Sequence, residues 1–170
     1  MATRIEKPKV RIKPITADGY EKFLAYAAIV LLCVVIVALA RGYSQWAQVP
    51  AIVWAHLATI LVALAFTPVM LLRRRGDRPH RLLGTIWVVA MMATAFISLF
   101  VRLSHPGHFS FIHLISVYVL IQVPLLWRDA RRHNIASHRG SIRGVVTGAL
   151  LIAGFFTFPF HRLLGTWLFG

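Results

Sequence analysis

The chain alternates between long apolar runs and short polar stretches rich in arginine and lysine. Apolar residues dominate 23–40, 50–72, 82–101, 109–127 and 141–160. The hydrocarbon core of a bilayer is about 30 Å thick, so a helical span needs about 20 residues. Each run is close to that length. Lipid offers no partner to backbone N–H and C=O groups, so the runs are expected to be helices, which satisfy those groups internally. The connections are short, which predicts antiparallel neighbours. The pattern therefore predicts an all-α integral membrane protein with five transmembrane helices.

Composition agrees. Of 170 residues, 58% are hydrophobic and 14% charged, against roughly 25% charged in soluble domains. A formal net charge of +14 would suit nucleic acid, but the basic residues lie in short clusters between apolar runs. They are a topology signal, and no nucleic-acid partner is expected. Of the 19 Lys and Arg, 16 lie before run 1, between runs 2 and 3, or between run 4 and the opening of run 5, where Arg143 sits. Only Arg41, Arg102 and Arg162 lie on the other side. The positive-inside rule then places the N-terminus in the cytoplasm and the C-terminus outside. Segment 1–22 is basic, carries Pro8 and Pro14, and is expected to lie along the cytoplasmic surface against anionic lipid or a partner subunit. Ala38-Leu39-Ala40 has the look of a signal-peptidase site, but the preceding basic segment is long for a signal peptide, and run 1 is read as a retained helix. Tyr43, Trp46, Trp54 and Trp167 suit the outer interface and Trp127 the inner one. Cys33 reads as helix packing, and without Cys-x-x-Cys-His no c-type haem attachment is expected.

The five acids, Glu6, Asp18, Glu21, Asp77 and Asp129, all fall outside the apolar runs. Ion-coupled transporters usually place ionisable groups within their spans, so a channel or transporter is the least favoured reading. Neither a Ser/His/Asp set, nor His-Glu-x-x-His, nor a Gly-rich phosphate loop suggests hydrolysis or nucleotide chemistry.

Histidine is the candidate chemistry. His56 falls about 9 Å below the outer end of its run and His113 about 6 Å below the outer end of its own. Those two helices run in the same direction, so the heights correspond. His80 and His138 open runs 3 and 5 from the cytoplasmic side, and each is followed by arginine, Arg81 and Arg139. Levelled histidines suggest haem b, one or two per chain, with arginine meeting propionate through its planar guanidinium. Gly140, Gly144 and Gly148 recur at every fourth residue. The ladder suits either close approach to a macrocycle or a helix-packing seam. Of the remaining histidines, His105, His108 and His133 read as loop residues. His161 opens His161-Arg162-Leu163-Leu164-Gly165-Thr166, a repeat of His80-Arg81-Leu82-Leu83-Gly84-Thr85, and competes as an outer ligand.

On His56, His80-Arg81-x-x-Gly84, His113 and His138-Arg139, the chain over about 50–160 resembles a family of bacterial polytopic membrane proteins of unknown function. That family continues the last element with Trp-Met, where this chain has Gly140-Ser141-Ile142-Arg143. The layout also resembles the four-helix core of the diheme transmembrane b-type cytochromes reduced by ascorbate. That resemblance implies a four-helix core over 50–160, a peripheral helix 1 at 23–40 and a short outer tail at 161–170. It implies one haem between His56 and His113 and another between His80 and His138. The implied function is electron transfer in a bacterial inner membrane, with a quinone or redox protein as partner. The alternatives are an accessory subunit of a larger respiratory or photosynthetic complex and ligation of a chlorophyll-type pigment by His56 or His113.

Overall fold

A computed structural model describes residues 16–101, 111–159 and 162–170. Among the described residues every regular element is helical. The long elements are α1 (Gly19–Arg41), α2 (Ala51–Leu72), α3 (Arg78–Ser98), α4 (Phe111–Arg131) and α5 (Ile135–Val145). A π-helical turn, Val146–Ile152, carries α5 into the short α6 (Ala153–Phe155), and α7 (Leu163–Phe169) ends the chain. A 3-10 segment, Tyr43–Gln48, joins α1 to α2. Among the described residues α1, α2 and α3 are each long and apolar enough to cross a membrane, as a multi-pass membrane protein requires.

The helix starts follow from polar residues that the apolar runs do not include. Asp18 accepts the Glu21 backbone N–H at 3.0 Å, and Glu21 accepts the Asp18 N–H at 3.2 Å. This reciprocal cap satisfies two amides at the start of α1, so the helix begins at Gly19 rather than at 23. Asp77 accepts the His80 N–H at 2.8 Å, and Pro79 suits the first turn. α3 therefore begins at Arg78, ahead of the apolar run at 82. Asn134 accepts the Ser137 N–H at 3.3 Å and starts α5 at Ile135, six residues before the apolar run at 141.

The helices form a closed ring. α2 packs between α1 and α3, α4 lies between α3 and α5, and α1 completes the circuit against the π turn and α7. Helix α1 contributes to the packed interior of the described residues. Leu24, Ala25 and Ala28 are at most 1% exposed and share one cluster with Leu64, Trp87, Val123 and Val145. Glu21, Leu24, Ala28, Val35 and Ala38 fall on one stripe of α1, and its alanines permit close helix approach.

A second cluster closes the opposite end of the ring. Val35, Ala38, Val53 and Leu57 meet Phe158, Leu164 and Trp167. The C-terminal residues are thus packed. Trp167 Nε1 donates to Gln45 Oε1 at 2.9 Å, and the Trp167 ring lies against Gly42. A Cβ at Gly165 would overlap the Phe158 carbonyl oxygen, so only glycine fits that approach.

Candidate functional site

The Glu21 end of the ring gathers most of the ionic contacts. The Glu21 carboxylate, 1% exposed, receives Arg75 at 2.5 Å, Arg139 at 2.6 Å and Arg143 at 3.2 Å. Asp18 pairs with Arg139 at 3.1 Å and also with Arg143. Arg143 lies over the Tyr20 ring at 5.8 Å, and the Tyr20 hydroxyl meets Thr147 Oγ1 in the π turn at 2.7 Å. The cluster ties α1 to α5 and to the segment after α2. The hydrogen bond from the Glu21 N–H holds the Asp18 carboxyl below its ordinary value, and the His80 N–H does the same for Asp77. Hydrogen bonding to Glu21 raises Arg139.

His80 and His138 lie at this end. The His138 ring Nδ1 is 2.9 Å from the Leu126 carbonyl of α4. A carbonyl only accepts, so Nδ1 carries the proton and Nε2 of the neutral ring keeps its lone pair. His80 is within electrostatic reach of His138, Arg75, Asp77 and Arg73. Its Nδ1 is buried and has no hydrogen-bond partner among the described residues. Arg81 is exposed and carries no ion pair among the described residues. Arg139, the other arginine expected to meet a propionate, is instead held by Glu21 and Asp18.

His56 and His113 occupy different surroundings. His56 Nδ1 lies 3.3 Å from the Thr94 carbonyl of α3, so its ring turns toward α3. By the same argument its Nε2 is left with the lone pair. Thr94 Oγ1 donates to Thr59 Oγ1 at 2.8 Å, and Trp87 Nε1 donates to Thr67 Oγ1 at 2.9 Å. These bonds make a polar seam between α2 and α3. His113 is buried in α4, 7% exposed, and α3 packs beside both α2 and α4. His105, His108 and His161 lie outside the described residues, and His133 sits in the α4–α5 turn at φ 56°.

The glycine ladder opens outward. A Cβ at Gly140 or Gly148 would meet nothing within 4 Å, and one at Gly144 would come 3.3 Å from the Tyr118 hydroxyl. The close seam expected of the ladder is therefore limited to Gly144 and Tyr118 among the described residues. Among those residues, too, no three His, Cys, Asp or Glu side chains converge as a metal-ion site. A haem needs only two axial ligands.

Sequence reading passed over Glu21, Asp18, Arg75 and Arg143. The one available signal was Asp18-x-x-Glu21 directly before an apolar run, the spacing of a reciprocal helix cap. No family model, curated protein or solved structure matches the chain.

Proposed function

We propose that the chain is a five-span protein of a bacterial inner membrane, its arginine-rich end in the cytoplasm. In this reading it holds a b-type haem between His80 and His138 and passes electrons across or within the bilayer. A second haem belongs to His56 and His113. The observation that carries this is the His138 Nδ1 bond to the Leu126 carbonyl, which orients the ring and leaves Nε2 for iron. His80 within electrostatic reach supports the pairing. Exposed Arg81 suits a propionate. A bis-imidazole haem supplies one-electron transfer, and the chain's part is to orient the ligands and set the potential. The physiological partner is a quinone or a redox protein.

The test is the absorption spectrum of the purified protein with a pyridine haemochrome assay. A Soret band is expected, and His138→Ala and His80→Ala are each expected to reduce the haem count by one. A colourless protein, or an unchanged count in both variants, would overturn the haem reading.

The packed interior supports a second reading. Leu24, Trp87, Val123 and Leu150 fill the middle of the ring with side chains, as suits an accessory subunit of a larger membrane complex. Copurification of a colourless chain with a respiratory complex would establish that role. Extractable chlorophyll would point instead to a pigment ligated by His56 or His113.

A further inference from the structure

Between α2 and α3 an open groove of about 420 Å³ faces outward from the ring. Ala58, Thr59 and Val62 line it from α2, and Thr85, Val89 and Ala93 from α3. The lining is apolar, and the small residues recess it. In the bilayer such a face meets acyl chains, so the question is whether it distinguishes one lipid from another.

Helical geometry places the answer at one end of the groove. On α3, Arg78 shares a face with Leu82, Thr85, Val89 and Ala93, since each lies four, seven, eleven or fifteen residues on. On α2, Ala58, Val62 and Val69 share a face that reaches Arg73 at the cap. Both walls of the groove therefore run from exposed apolar side chains to an arginine. Leu82, Val89, Val62 and Val69 are all exposed. Arg78 is exposed and has no ion pair among the described residues. Arg73 pairs with Asp77 through one terminal nitrogen at 2.9 Å and is itself about a third exposed, side chain 32%. Arg74 adds a further exposed cation.

We infer that this face binds an anionic phospholipid from the leaflet at the arginine-rich end. One acyl chain lies in the α2–α3 groove, and the phosphate is received by the partly exposed Arg73 and the exposed Arg78 guanidinium groups. Guanidinium groups match phosphate geometry, and a cation beside an anionic membrane surface adds attraction. The site adjoins His80 through Arg73 and Asp77, but lipid binding does not depend on a haem.

Native mass spectrometry of the detergent-purified chain with added phosphatidylglycerol or phosphatidylcholine tests this. Phosphatidylglycerol is expected to be retained in preference, as one lipid per chain at low lipid. Arg73→Gln with Arg78→Gln is expected to reduce that retention roughly tenfold and leave phosphatidylcholine unchanged. Ala58→Phe adds a ring at an exposed groove position and is expected to reduce retention with both arginines intact. Helicity by circular dichroism confirms that each variant is folded. Equal retention of the two lipids overturns the proposal, as does undiminished phosphatidylglycerol binding by folded variants.

Discussion

A carboxylate that is 1% exposed has to be matched by hydrogen-bonded cations, because removing one side of a buried ion pair leaves an uncompensated charge. Glu21 is matched by three arginines, each less than a third exposed. Glu21→Gln keeps the shape and removes the charge, and is expected to destabilise the protein by about 3 kcal/mol. Arg74→Gln, at an exposed position without an ion pair among the described residues, is expected to change stability by less than about 0.5 kcal/mol. Thermal unfolding in detergent measures both, and equal effects would mean that Glu21 is not buried as described. Asp18 and Asp77 set an acid limit. Each is held below its ordinary value by a helix N–H, so folding favours the ionised form. Their contribution is complete above the unfolded value near 3.8 and is lost as pH falls through the lower folded value. Stability is therefore expected to be flat with respect to these groups down to about pH 5 and to fall below about pH 4. Asp77→Asn, which retains an acceptor, is expected to flatten that fall.

At the scale of elements, glycine separates two kinds of packing. Gly165 lies where any Cβ would strike the Phe158 carbonyl, a backbone atom with little room to move. Gly165→Ala is expected to displace α7 and destabilise by at least about 1 kcal/mol. Gly140 faces open space within α5, so Gly140→Ala is expected to stabilise by up to about 1 kcal/mol through helix propensity. A destabilising Gly140→Ala would reveal a partner against the ladder. Hydropathy made the three candidate spans legible and located α4 to within a few residues. It misplaced the starts of α1, α3 and α5, because Asp18, Asp77 and Asn134 extend those helices into polar sequence. The Glu21 cluster was not legible, because its partners lie 54, 118 and 122 residues away. A charge beside an apolar run reads as solvated until the fold brings its partners together. The histidines were legible as residues, but their surroundings were not. Which carbonyl orients His56 or His138 depends on the neighbouring helix.

At the scale of the molecule, the clustering of basic residues predicts sidedness. In a Cys33→Ala background, Arg74→Cys is expected to react with an impermeant thiol reagent only from the cytoplasmic side of inverted vesicles. Gln48→Cys is expected to react only from the opposite side. Labelling of both from one side would refute the odd number of crossings between them.

Ring closure by α1 also has a consequence for biosynthesis. The first long helix to leave the ribosome presents Glu21 to a membrane before any of its three arginine partners has emerged, Arg75 being 54 residues further on. Arg139 and Arg143 arrive 118 and 122 residues later. Until then the nascent chain holds an acid matched by at most one of its three arginines, Arg75, at the head of its first helix. Chains that stop before α5 should retain that defect, giving membrane quality control a chemical mark by which to recognise them.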